Sequence, residues 1–240
     1  IGVINCSINN SGKTTFALVA STKNKNEPLG EDNMIYEVRT YRLKPRGVPE
    51  FINIFGKAYE KRKNLSKLAA FFYTEIGMLN EVIHIWPYKD AGEREKKRAK
   101  SVSDKKYAWP PKVGHLQEHM QSEIFHPSPM TPEFPKGKMG PIFEWREYQL
   151  IPGMIGEVYK NWAKAVPRRE ELSPLVMAMH TESGGLNKFV HIWSYESLDH
   201  RAEVRAEAAA KGIWPPKGRR ETLQIQTNKI VLPTDFSPLV

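Results

Sequence analysis

Apolar and polar residues alternate through Ile35–Leu43 (IYEVRTYRL), as in a strand with one buried face, and Pro45 and Gly47 bound the segment. The period then changes. Val48, Phe51, Ile52, Phe55 and Tyr59 fall at i, i+3, i+4, i+7 and i+11. That stripe predicts a core-facing helix from Pro49, a residue suited to a first helical turn, to about Lys63. Two β-rich runs at 69–76 and 81–88 flank the turn sequence Gly77-Met78-Leu79-Asn80 and predict a hairpin. Asp90 with Glu93 forms a capping pattern ahead of the charged run EREKKRAK. The Trp109-Pro110-Pro111 element is expected to terminate that helix, since proline cannot continue it, and a last strand is expected at about 115–125.

The whole pattern returns some 107 residues further on. IFEWREYQL repeats IYEVRTYRL, LNKFVHIWSY repeats LNEVIHIWPY, and a second WPPK begins at Trp214. The helical stripe recurs as Ile155, Val158, Tyr159, Trp162 and Val166, while the polar face changes. Further strands are expected at 175–182, 188–195 and about 222–232, with a turn at Gly184-Gly185 and a helix from about Ser197. A period this long is that of a domain, because solenoid and propeller units span roughly 20–50 residues. The expected organisation is an extension at 1–33, one repeat at 34–133 and another at 134–240. Each repeat reads as a βαββαβ, ferredoxin-like α+β unit with both helices on one face of an antiparallel sheet. The two are expected to pair sheet to sheet as an intramolecular dimeric α/β barrel.

Alternation sorts the two central strands of each unit by face. Glu37, Arg39 and Tyr41 share a face of the first strand, and Val82, His84, Trp86 and Tyr88 share a face of the third. The second copy places Glu144, Arg146, Tyr148, His191, Trp193 and Tyr195 at equivalent points. These sets are expected on the face away from the helices, enclosed between the sheets, with His180 and Glu182, and Tyr73 and Glu75, adding to the lining. Charged groups buried alone are costly, so they must pair with one another or with a ligand. In one reading the carboxylates and arginines form a network that seals the interface. In the other they line an interior pocket for a small anion, with arginine and histidine as donors and aromatic rings as walls.

The formal net charge is +9. The basic residues are spread over the helices among glutamates, as on solvated faces, and no nucleic-acid module is recognisable, so nucleic acid is not an expected partner. No run approaches the ~18 apolar residues of a membrane span. The single cysteine, Cys6, precludes an intrachain disulfide and suits a reducing compartment. SGKTT at 11–15 lacks the glycine that a phosphate loop needs five residues before Gly12. His115 and His119 are spaced i, i+4 but lack the HExxH order and fall in an expected strand, which would not converge them. A facing His84 and His191 could in principle ligate a metal or haem, though a core hydrogen bond is the more economical role, and no cofactor or metal is expected. The segment up to Asn26 has no acidic residue, which fits a transit sequence, and no arginine, which does not.

YEVRTYRLKP opening the first unit, LNxVxHIWxY at its third strand, the duplication and the closing LPTDFSPL (232–239) together resemble the NIPSNAP family over residues 34–240. The resemblance implies tandem dimeric α/β-barrel domains, an association with mitochondria and protein partners that include autophagy adaptors and receptors, in mitochondrial quality control or vesicular trafficking. It supplies no catalytic residues. Relatives in architecture include cofactor-free monooxygenases and haem proteins, which keeps a ligand-binding or enzymatic barrel as the alternative. Further assembly into homo-oligomers stays open.

Overall fold

The computed structural model describes residues 4–8, 14–18, 34–132, 137–218 and 220–240. It divides into two compact units, 1–32 and 33–240. Within the first, β1 (Ile4–Ile8) pairs antiparallel with β2 (Thr14–Leu18), a hairpin that the polar composition of the extension did not announce. Residues 11–13 of the SGKTT string and the turn-like 28–33 lie outside the described residues.

The second unit runs β3 (Ile35–Leu43), α1 (Val48–Arg62), β4 (Ala70–Ile76), β5 (Glu81–Tyr88), α2 (Ala91–Ser103) and β6 (Gln117–Pro127). It then repeats the series as β7 (Ile142–Leu150), α3 (Ile155–Glu170), β8 (Leu175–Ser183), β9 (Lys188–Tyr195), α4 (Leu198–Ala210) and β10 (Leu223–Pro233). Local chemistry sets the boundaries. Asp90 accepts from the Glu93 amide at 2.7 Å while Glu93 accepts from the Lys89 amide, a reciprocal cap that starts α2. Ser197 caps α4 through the His200 amide at 3.0 Å. β6 begins two residues later than expected because Gly114–Leu116 forms a 3-10 turn, and both helices end well before the WPP elements.

The eight strands close into a barrel in the order β10-β4-β5-β3-β6-β8-β9-β7. Within each repeat the order is that of a ferredoxin-like sheet, and every pairing is antiparallel. The repeats join edge to edge, β6 on β8 and β10 on β4, so that neither sheet keeps a free edge. The hairpin turns are built to fit these seams. Gly77 and Gly184 adopt φ of +125° and +108°, and a Cβ on either would come within 2.8 Å of Lys229 or Glu123 on the neighbouring strand. Asn80 and Asn187 end the same turns in the left-handed conformation that asparagine tolerates.

Inside the barrel lies one apolar core, to which both repeats contribute: Val38, Phe72 and Ile85 from the first, Phe143, Met179 and Ile192 from the second. Two further clusters lie between sheet and helices, one under each repeat's helices. The segments that leave the barrel cross over reciprocally. After β10, the Thr234 amide donates to Phe71 O and the Phe71 amide to Ser237 Oγ, fastening the chain end onto β4. After β6, the Ser128 amide donates to Ala178 O, and Thr131 bonds the Ala178 carbonyl and amide, fastening that segment onto β8. Leu239, fully buried, then reaches the barrel core. Leu239→Ala is expected to cost about 3 kcal/mol in denaturant unfolding, from lost burial and the cavity left behind. Val240→Ala, at an exposed site, should change stability by less than about 0.5 kcal/mol.

Candidate functional site

Strand register brings the expected residues together in two sets. Glu37 faces Trp86 and Arg39 faces His84 across β3 and β5, and Glu144 faces Trp193 and Arg146 faces His191 across β7 and β9. The alternation that grouped them holds, but the face is the opposite of the one expected. Tyr41, Trp86 and Tyr88 pack with α1, and Tyr148, Trp193 and Tyr195 with α3, whereas the space between the sheets is filled by apolar side chains. Among the described residues, these side chains lie outside the barrel interior and line no chamber within it. Under the helices a buried carboxylate finds partners that the opposite sheet could not offer. His180 lies outside both clusters. Its Nδ1 is 2.5 Å from Tyr159 Oη, and its ring stacks on His126 at 5.7 Å across the β6–β8 seam. Tyr73 is half-buried in the first helix-side layer, while Glu75 and Glu182 are exposed and line nothing.

The Glu37 carboxylate is fully buried and accepts from Arg39 Nη1 at 2.8 Å, Arg94 Nη2 at 2.7 Å and Ser122 Oγ at 2.8 Å, with Arg98 at 3.5 Å. Arg39 Nε also donates to Tyr41 Oη at 2.5 Å. Glu144 accepts from Arg146 at 2.8 Å, Arg201 at 2.6 Å, Asn228 at 3.2 Å and Tyr195 Oη at 3.3 Å, with Arg205 at 3.7 Å. A fourth guanidinium stands beside each set. Arg62 lies 4.1 Å from the centres of both the Trp86 and Trp109 rings, and Arg169 lies 4.4 Å over Trp193 while donating to Ser173 Oγ and Tyr195 Oη.

Burial by itself would raise the Glu37 pKa, but the Arg94 hydrogen bond and the charges of Arg98, Arg39 and Arg94 outweigh it and hold it at about 2. Glu144 is lowered in the same way, against burial, by its Arg201 hydrogen bond and by Arg146, Arg201 and Arg205. Both core histidines are held neutral, chiefly by burial and then by arginine charge. Their tautomer follows from their partners. The indole N–H of Trp86 donates to His84 Nδ1 at 2.6 Å and that of Trp193 to His191 Nδ1 at 2.8 Å, so each imidazole carries its proton on Nε2. Each Nε2 is buried without a hydrogen-bond partner among the described residues, and the rings packed about the imidazoles are Tyr41 and Phe71 at His84 and Tyr148 and Trp162 at His191. The two histidines sit under different helix layers and do not converge on a metal.

Sequence reasoning missed the arginines of the helices, which resembled solvated charge. A signal was present. Arg62, Arg94 and Arg98 recur as Arg169, Arg201 and Arg205 at the repeat spacing, although most of the polar helix face changes.

Two paired ferredoxin-like sheets closed as one barrel, with a buried Glu-Arg-Tyr cluster under the helices of each, define a tandem dimeric α/β-barrel protein. The NIPSNAP family model matches residues 36–132 and 143–238, and the chain belongs to that family. It is 31% identical to human Protein NipSnap homolog 3A over 222 residues, 88% of each chain. It is 25% identical to the Protein NipSnap homolog of Dictyostelium discoideum over 237 residues, 96% of each. A monooxygenase-like protein from Fusobacterium nucleatum superposes with a TM-score of 0.58 at 12% identity, covering 84% of this chain and 92% of that one, a likeness of fold alone.

Arg39→Ala combined with Arg146→Ala leaves each carboxylate its α2 or α4 arginines, so the double variant should lose about 2 kcal/mol in thermal or denaturant unfolding, without loss of the fold. The depressed pKa of Glu37 means that its stabilisation is complete above its ordinary value near 4.5 and is lost as pH falls toward 2. That contribution is roughly 3 kcal/mol. Glu37→Gln should therefore be less stable than the parent at neutral pH and show a flatter stability profile between pH 4.5 and 2. An unchanged acid profile would rule out this assignment.

Proposed function

We propose that this NIPSNAP-family chain is a non-catalytic mitochondrial protein that acts as an interaction scaffold, serving mitochondrial quality control by recruiting autophagy adaptors and receptors, or vesicular trafficking. The observation that supports the non-catalytic part is how deeply the titratable side chains are enclosed. His84 and His191 are buried, neutral and committed to their own tryptophans, so neither can exchange a proton with a substrate. Glu37 and Glu144 are locked among arginines far below the pKa range useful to a general acid or base at neutral pH. Such a body is rigid inside and presents charge outside. No helix among the described residues is long and apolar enough to cross a membrane.

The exposed basic face of α2, with Lys96 and Lys100, is the surface expected to meet acidic partners. A tagged chain should fractionate with mitochondria, and the purified protein should retain recombinant autophagy adaptors. The double charge reversal Lys96→Glu, Lys100→Glu should weaken that retention about tenfold, equivalent to ~1.4 kcal/mol, with an unchanged melting temperature. Oxygen consumption on addition of polycyclic phenols would instead replace this reading with an enzymatic one.

A further inference from the structure

The two repeats differ at one place that their shared sequence pattern does not announce. In the first, the Arg62 guanidinium has an indole ring 4.1 Å away on each side, Trp86 and Trp109, so both of its faces are covered. In the second, Arg169 has Trp193 at 4.4 Å, and no second ring takes the place of Trp109 over it. Trp214 keeps the edge-on contacts that Trp109 makes with Phe55 at 5.2 Å and Trp86 at 5.9 Å, meeting Trp162 at 4.8 Å and Trp193 at 5.5 Å, without covering the guanidinium. A cavity of about 240 Å³ opens there, lined among others by Arg169, Arg205, Tyr148, Trp193 and Trp214. Ala208 and Ala209 of α4 also line it, where α2 carries Ser101 and Val102, so the helix offers little bulk to fill the space.

The electrostatics of this cavity are one-sided. Arg146, Arg201 and Arg205 all pair with Glu144, the only carboxylate on the wall, and Arg169 forms no ion pair among the described residues. The Tyr195 hydroxyl bridges it to Glu144, accepting from Arg169 at 2.9 Å and donating to the carboxylate at 3.3 Å. Arg169 is nonetheless almost completely buried. Arg62 is buried without a carboxylate as well, but under two indole rings, whereas Arg169 lines the cavity, where an anion beside it would offset the cost of its burial. Arg205 holds Glu144 at 3.7 Å with a side chain 41% exposed, loose enough to turn to a ligand.

We propose that this cavity, between the β7–β9 face and α4, is a binding site for a small planar carboxylate, with Arg169 and Arg205 receiving the carboxylate and Trp193, Trp214 and Tyr148 flanking its flat body. The volume falls just below the ~300–1,000 Å³ of drug-sized pockets, which selects a ligand of about one ring. In the first repeat Trp109 covers the corresponding face of Arg62, so the stoichiometry expected is one per chain. Binding without turnover is compatible with a scaffold and would make it responsive to a metabolite.

Benzoate is the probe. Titrated into the full-length protein, it should quench tryptophan emission saturably, with one site per chain by calorimetry, and the neutral isostere benzamide should bind at least tenfold more weakly. Arg205→Met should weaken benzoate at least tenfold with only a small fall in melting temperature, whereas Arg98→Met, its counterpart in the first repeat, should show a similar small fall and leave affinity unchanged. Absence of saturable binding, two sites per chain, equal affinity for benzamide, or equal losses in the two variants would each overturn the proposal. Oxidation of added phenols, which would displace the scaffold reading, is a separate measurement and leaves this one intact.

Discussion

A four-stranded ferredoxin-like sheet covered by helices on one side has two open edges and one bare face, and everything else in this chain follows from how that problem is solved. A repeat of about a hundred residues buries too little of its surface to be robust alone. Here the bare faces become the wall of one core, and the edges are used up in the β6–β8 and β10–β4 seams. Because both seams join different repeats, the barrel exists only when the two halves are assembled. The reciprocal crossing of the segments after β6 and β10 strengthens that dependence, since each repeat supplies part of the layer that covers its neighbour's strand. Covalent tandem duplication removes the concentration dependence that such an arrangement would have between separate chains.

Closing the barrel in this way forces the polar residues of the central strands outward, beneath the helices. The lumen is filled by apolar side chains, so a carboxylate there would stay unpaired. On the helix side, α2 and α4 lie across the strands and present arginines one turn apart, 94 with 98 and 201 with 205, over Glu37 and Glu144. Each cluster thus ties a helix to the centre of its sheet through charge as well as apolar contact. This matters most for α2, which buries only Ser101 and has little apolar surface with which to hold its place.

The strands, helices and duplication were legible because they depend on periods of 2 and 3.6 and on self-similarity, which survive without coordinates. Alternation also grouped Glu37 with Arg39 and His84 with Trp86. The side on which a group lies is not a property of alternation, and no local pattern stood behind its assignment to the face away from the helices. That inference overlooked α2 and α4, whose arginines resembled solvated charge. His180 was grouped with the clusters by its strand, yet it sits at a seam with His126, a partnership between distant segments that no local pattern encodes. The β1–β2 hairpin lies in a polar segment with short, weakly alternating runs, below what periodicity can resolve.

Duplication also explains why two nearly equivalent clusters came to differ. Once both copies reside in one chain, the arginine-carboxylate lock must hold in each, because losing either would leave a buried charge unpaired. The neighbouring aromatic shell is under less constraint. In the first repeat the Lys105–Tyr107 turn precedes Trp109, whose ring caps Arg62. In the second, the passage from α4 to Trp214 is two residues shorter, and the indole keeps its contacts with the α3 and β9 rings, Trp162 and Trp193, without covering Arg169. A small change in loop length therefore converts a covered cation into one that faces a cavity, without altering a residue of the lock itself. The asymmetry is what allows one half to remain a structural element while the other acquires a binding surface.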